Sequence, residues 1–289
     1  MVSSGLFQFT IAVLISSAVS VRAYIKKSLD LGGAISGFLI MTIHIAINYR
    51  YGAILLAFFF TSSLLTKYGE DTKKKVDAHF KEGGQRTWKQ VVFNSGIATI
   101  LILMVWKLVG TEDHCLNSKE SRFLTWLTGG IIGHYCCSNG DTWSSELGIL
   151  SNEQPRLITT LKPVRRGTNG GITGTGLAAA AGGGIVIGVT FVVLGFVTAE
   201  CDRLVTGMKQ LLVIPISGLA GLVGSIIDSL LGATLQYSGF CSVRNKVVDR
   251  GGPTVKRISG MSLLDNNGVN LVSILLTSLL TSAACLYVF

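Results

Sequence analysis

Asn139-Gly-Asp-Thr-Trp-Ser-Ser-Glu-Leu-Gly148 sets two carboxylates, Asp141 and Glu146, directly after an apolar segment, 123–138, that is fit for lipid. An ionisable group at membrane depth costs ~2.5–3.5 kcal/mol on insertion scales, so it persists where it has a task. In a continuous helix the two acids lie roughly 140° apart, whereas Asp141, Ser144 and Ser145 share a face. Either the acids serve different partners, or the helix breaks between them at membrane level, which is tolerated only where backbone lines a protein cavity. The plainer alternative is helix-start chemistry, an Asp-Thr cap with a Glu in the first turn.

The rest of the chain has the composition of a polytopic membrane protein. Its 289 residues are 48% hydrophobic and 14% charged, where a soluble domain carries about 25% charge. The net charge of +9 does not point to nucleic acid, because the basic residues fall in short loops between apolar spans rather than on an amphipathic face. Membrane orientation and phosphate binding account for it better. The cysteines show no zinc spacing and the histidines no His-Glu-x-x-His pattern, so a His/Cys metal centre is not expected. Cys136 and Cys137 read as packing residues. Cys115 and Cys201 fall on the non-cytosolic side, where an oxidising compartment would allow them to pair.

Eight apolar spans are read, at 5–21, 31–49, 52–66, 91–110, 123–138, 171–198, 210–235 and 269–289. The expected fold is an all-α integral membrane bundle, a single domain over 1–289, with some helices short or broken. The first charge follows the first span, so that span reads as a retained helix and not as a signal peptide, and no plastid-type leader precedes it. Loops 22–30, 67–90, 139–170 and 236–268 lie on one side and hold 19 of the 25 Lys and Arg. By the positive-inside rule that side is cytosolic, which leaves both termini non-cytosolic.

The candidate site residues gather on the same side. In the seventh span Gly218, Gly221, Ser225, Asp228, Gly232 and Gln236 form one stripe, so a carboxylate sits in a groove cut by small residues. Arg86 stands beside glycines at the mouth of a span, where it could meet phosphate or lipid headgroups. Arg165, Arg166 and Asn169 precede the glycine-rich entry Gly170-Gly-Ile-Thr-Gly-Thr-Gly176, whose helix-start N–H groups attract anions. Asp265 and Asn266 open the last span; taken singly, Asp265 reads as an N-cap. Asp141, Glu146 and Asp228 are candidate catalytic groups and ligands for Mg²⁺, which binds through one or two acids and the substrate's own phosphates. The arginines with Asn169, Asp265 and Asn266 would hold nucleotide and lipid phosphates.

The blocks Gly84-Gln-Arg-Thr-Trp-Lys-Gln-Val91, Asn139–Gly148, Lys162-Pro-Val-Arg-Arg-Gly-Thr-Asn-Gly-Gly171, Asp228-Ser-Leu-Leu-Gly-Ala-Thr-Leu-Gln236 and Leu264-Asp-Asn-Asn267 resemble the transmembrane protein 19 family of polytopic membrane proteins. That family includes a plant phytyl-phosphate kinase and a plant plasma-membrane, glucose-responsive regulator. The resemblance implies Mg²⁺-dependent phosphoryl transfer from a nucleoside triphosphate, CTP or ATP, to an isoprenoid monophosphate at the cytosolic face of the plasma membrane or an endomembrane. A non-enzymatic regulator, and after it a transporter, are the alternatives.

Overall fold

The computed structural model describes residues 2–76, 82–199 and 206–289. In chain order the apolar runs become α1 (Val2–Ile25), α2 (Leu31–Ile47), α3 (Tyr49–Lys67), the short α4 (Glu70–Val76), α5 (Trp88–Phe93), α6 (Gly96–Val109), α7 (Arg122–Gly148), α8 (Gly174–Thr198), the short α9 (Thr206–Gln210), α10 (Val213–Leu235) and α11 (Asn266–Val288). Side chains close several starts: Asp30 accepts from Gly33 N, Ser121 from Leu124 N, Thr173 from Gly176 N and Asp265 from Gly268 N.

Among the described residues four helical segments are long and apolar enough to cross a membrane: α1, α8, α10 with the turn before it, and α11. α3 and α4 make a fifth when counted as one span bent by 74°. The shorter α6, with 14 residues, reaches only about 21 Å at 1.5 Å per residue, against a hydrocarbon core of ~30 Å. The eight-span expectation therefore becomes four full spans, a bent one, the short α2 and α6, and the polar-tipped α7.

Two expectations are corrected. The interruption read from residue 139 begins at 149, because α7 runs unbroken from Arg122 to Gly148 and carries both acids within the helix. The bundle is also not purely helical. β1 (Arg156–Leu157) pairs with β2 (Gly171–Ile172), and β3 (Ser238–Cys241), β4 (Lys246–Val248) and β5 (Val255–Ser259) form an antiparallel sheet in the order β4-β3-β5. These strands are two to five residues long, and β4 and β5 carry Lys and Arg, so their alternation is too short to stand out.

α7 is the hub, buried almost continuously from Leu124 to Gly140 and packed against α3, α6, α8, α10 and α11. Small residues make this possible. A Cβ added at Gly140 would lie 2.8 Å from the carbonyl oxygen of Gly221 and 2.9 Å from that of Ala180, so α7, α8 and α10 meet backbone to backbone. Asn139 ties the same helices with polar bonds: its Nδ2 donates to Gly183 O at 2.8 Å, and its Oδ1 accepts from Thr61 and Ser62 of α3 at 3.1 and 3.0 Å.

The connections sort into two ends. At one end Asp30 N donates to Arg86 O, Lys73 meets Glu146, Asn169 N donates to Ser238 and Lys246 Nζ to Lys74 O. At the other, Arg50 joins Asp113 and His114, Thr198 joins Asp113, and Gln210 clamps both backbone polar groups of Leu116.

Candidate functional site

Asp141 on α7 and Asp228 on α10 are neighbours close enough for their charges to interact, both half-buried. Two residues of α11 complete this corner. Ser273 Oγ donates to Asp228 Oδ2 at 3.1 Å, and the Asn270 amide, oriented to satisfy its surroundings, donates to the same oxygen at 3.2 Å and to Asn266 O at 3.1 Å. Cys137 lies one turn below Asp141, its thiol 3.9 Å from Ser273 Oγ. The groove read on α10 is thus used twice. Gly218 and Gly221 admit α8, while at Asp228 the cleft holds a second carboxylate. Asp141 has no hydrogen-bond partner among the described residues, so one face of the pair is free for a cation or a donor.

Glu146 belongs elsewhere. On the far side of α7, its Oε2 is 2.6 Å from Lys73 Nζ, and Lys73 also donates to the exposed carbonyls at the end of α3, Leu65 O at 2.6 Å and Thr66 O at 3.1 Å. This ammonium caps the α3 terminus where α4 turns away. Arg86 joins the group. Its loop docks on α2 through Asp30 and Ser28, its guanidinium donates to Ser63 Oγ at 3.0 Å, and it leans over Phe59. Burial lowers its proton affinity and the Glu146 charge opposes that. Asp141, Glu146 and Asp228 therefore do not form one three-carboxylate centre. Among the described residues no three His, Cys, Asp or Glu side chains come together as a metal site.

The loop 162–172 docks on the end of α10 one turn beyond Asp228. Gly170, at φ +75°, lies where an added Cβ would be 2.5 Å from both Ser229 O and Ala233 Cβ. Asn169 is consumed by this docking: its backbone N donates to Ser238 Oγ at 3.1 Å and its Nδ2 to Tyr237 O at 3.2 Å. Arg165 stacks 3.8 Å over the Phe240 ring, exposed on its other face. Arg166 is half-buried with no hydrogen-bond or ion-pair partner among the described residues.

The helix start expected to attract phosphate already holds an anion. Glu153 accepts from the Thr175 hydroxyl, from Gly174 N at 2.7 Å and from Thr175 N at 3.0 Å. Those bonds, the Thr175 hydroxyl's foremost, hold its carboxyl below the usual range. Asp265 is the N-cap of α11, accepting from Gly268 N at 2.8 Å, and both it and Asn266 are exposed.

Sequence reading missed three features. Asn270 and Ser273, the partners of Asp228, sit i and i+3 on an apolar helix with hydroxyls that look like ordinary packing groups. Arg50, buried in the core, donates to Asp113 Oδ1 at 3.1 Å, to His114 O at 3.0 Å and to Phe191 O at 3.2 Å, with its guanidinium 3.6 Å from the Phe191 ring. The only signal was an arginine where the six remaining cations are sparse. His134 Nε2 donates to Asn94 O at 2.7 Å, which satisfies a carbonyl freed where α5 gives way to α6. His44 meets Tyr135 across α2 and α7 at 2.6 Å. Cys115 is disulfide-bonded, while Cys201 lies outside the described residues. Cys136 and Cys137 are free and buried.

The chain is similar to Protein PGR of Arabidopsis thaliana, 62% identical over all 289 residues and the whole of that protein. It is also similar to an uncharacterised membrane protein of Methanocaldococcus jannaschii, 29% identical over 81% of this chain and 86% of the relative. Another such protein, of Synechocystis, is 30% identical over 66% of this chain and 65% of its own length. No solved structure matches. With a family model covering residues 14–278, the chain belongs to the integral membrane protein family DUF92.

Proposed function

We propose that this protein transfers a phosphoryl group from a nucleoside triphosphate to an isoprenoid or related lipid monophosphate at the membrane face that carries Asp141 and Asp228. The observation that supports this reading is the carboxylate pair itself, at the polar end of the bundle and one turn from an arginine-bearing glycine loop. Two acids with an amide and a hydroxyl beside them are a donor set that suits Mg²⁺, which takes few protein ligands and completes its shell with water and phosphate oxygens. Asp141 and Asp228 would hold the ion. Bound there, it would supply charge neutralisation for the phosphates. Glu146 is left out of that set, because Lys73 holds it.

The chain's own groups then divide the remaining tasks. Asn270 and Ser273 fix the Asp228 carboxylate by donating to its Oδ2. Arg166 has its guanidinium free for a phosphate oxygen, and Arg165 offers the edge that Phe240 leaves open. Phosphoryl transfer asks for little else, since its catalysis is mainly positioning and charge stabilisation. The test is turnover by purified protein in lipid with labelled CTP or ATP and a panel of prenyl monophosphates. Asp141→Asn and Asp228→Asn are expected to cut kcat at least about 100-fold. An Asp141→Asn enzyme with the wild-type rate, or no turnover of any pair by wild type, would end this reading.

A second reading, a non-enzymatic membrane regulator, draws on how many polar groups are satisfied internally: Glu146 by Lys73, Glu153 by the α8 start, Asp265 by the α11 start, Asn169 by β3. Complementation separates the two. A regulator tolerates Asp228→Asn in place of wild type, and a kinase does not.

A further inference from the structure

α1 leans mainly on α2 and leaves its other face uncovered. Along that face runs an open furrow of about 850 Å³. Its lining comes from α1 and its end alone: Leu14, Ser17, Ala18, Val21 and Ile25 supply a largely exposed, mostly apolar strip, and Arg22 and Lys26 stand at its polar end. Both cations are exposed and neither has an ion-pair partner among the described residues. The acids nearby are engaged: Asp30 caps α2 through Gly33 N, and Glu70 accepts from Gly83 N at 3.0 Å. A third ammonium is fixed next to the mouth, where Lys67 Nζ donates to Lys26 O at 2.9 Å.

We propose that this furrow is a specific site for an anionic glycerophospholipid of the surrounding bilayer, with an acyl chain along Leu14–Ile25 and the headgroup phosphate between Arg22 and Lys26. Chain and charge are matched in order. The apolar flanks run into the hydrocarbon, and the cations begin where a headgroup phosphate would stand, on the side expected to be cytosolic. A second copy of the chain is a poorer occupant: helix against helix in the same orientation, each Arg22 and Lys26 would face its own counterpart. The site lies on α1, away from Asp141 and Asp228, and is independent of the phosphoryl-transfer reading.

Native mass spectrometry of the full chain released from lipid nanodiscs tests it. With phosphatidylglycerol or phosphatidylserine mixed into phosphatidylcholine, wild type should retain one anionic lipid under activation that strips the zwitterionic one. Arg22→Gln with Lys26→Gln should weaken that retention roughly 10- to 30-fold. Ala18→Trp, which puts bulk in the middle of the strip and leaves the charges in place, should weaken it too. Unchanged circular dichroism and melting of both variants would show that the fold is intact. Equal anionic-lipid retention by wild type and the double Gln variant overturns the proposal. So does displacement of the phospholipid by an equimolar prenyl monophosphate, which would make the furrow a substrate site, or a dimer that Ala18→Trp abolishes while lipid retention stays unchanged.

Discussion

Arg50 places a full charge in the core, with its side chain 2% exposed and that of its partner Asp113 12% exposed. Removing one member of a buried, hydrogen-bonded pair strands the other, at a cost of about 3–5 kcal/mol. Asp113→Ala should therefore lower the thermal unfolding midpoint sharply, whereas Arg50→Met with Asp113→Leu should recover much of the loss. A midpoint for Asp113→Ala equal to wild type would show that the pair contributes nothing. Glu153 offers a second test, in pH. Its folded-state proton affinity is depressed by the Thr175 and Gly174 bonds. Its contribution is thus complete above the unfolded carboxyl range, about 4.3, and disappears as pH falls through the lower folded value. The melting difference between wild type and Glu153→Gln should be present at neutral pH and vanish in strong acid; a difference that grows on acidification contradicts the cap. Neither residue stood out in the sequence. Glu153 is one acid in a polar loop, and Arg50 finds Asp113 only because the start of α3 and the loop between α6 and α7 meet at one end of the bundle. Asp141 and Asp228 did stand out, since a carboxylate beside an apolar run is conspicuous on energetic grounds alone.

Helices α7, α8 and α10 show which features an element declares in advance. Apolar length located them, and their glycines announced close packing, but sequence could not say which glycine faces a partner. Gly184 and Gly182 differ in this respect: a Cβ on Gly184 would overlap the carbonyl of Ser217, while on Gly182 it would sit 3.7 Å from the Trp143 ring, an ordinary contact. Gly184→Ala should cost about 1–3 kcal/mol through overpacking, and Gly182→Ala should be neutral or gain up to ~1 kcal/mol from helix propensity. Thermal unfolding of the two variants side by side checks this, and equal shifts would mean that the three-helix contact is looser than described. The end of α7 was misplaced for a related reason. Asn139, Gly140 and Asp141 look like a helix terminus, yet Asn139 is bonded to α3 and α8, and Gly140 is the point where α10 arrives. Tertiary contact carries the helix through residues that would locally end it.

Seen as a whole, the chain divides its polar groups between two ends, and the division rests on contacts independent of the charge count. The loops rich in Lys and Arg bond to one another through Arg86, Lys73, Asn169 and Lys246. The sparse ones bond through Arg50, Asp113 and Gln210. Positive-inside reasoning and three-dimensional contact thus assign each loop to the same end, although among the described residues only four helices qualify as full spans by themselves. Cysteine labelling decides whether the ends also lie on opposite faces of a membrane. Among the described residues the free cysteines are buried, so a membrane-impermeant maleimide should report on cysteines introduced at exposed positions. Lys119→Cys, in the loop of Asp113, should react in sealed cells. Asn152→Cys, beside Glu153, and Val243→Cys, at the tip of the β3–β4 hairpin, should react only after permeabilisation. If all three react alike in sealed cells, the two ends share a compartment. Asp141, Asp228 and the arginine loop would then have no claim to a cytosolic nucleotide, however well the carboxylates are placed.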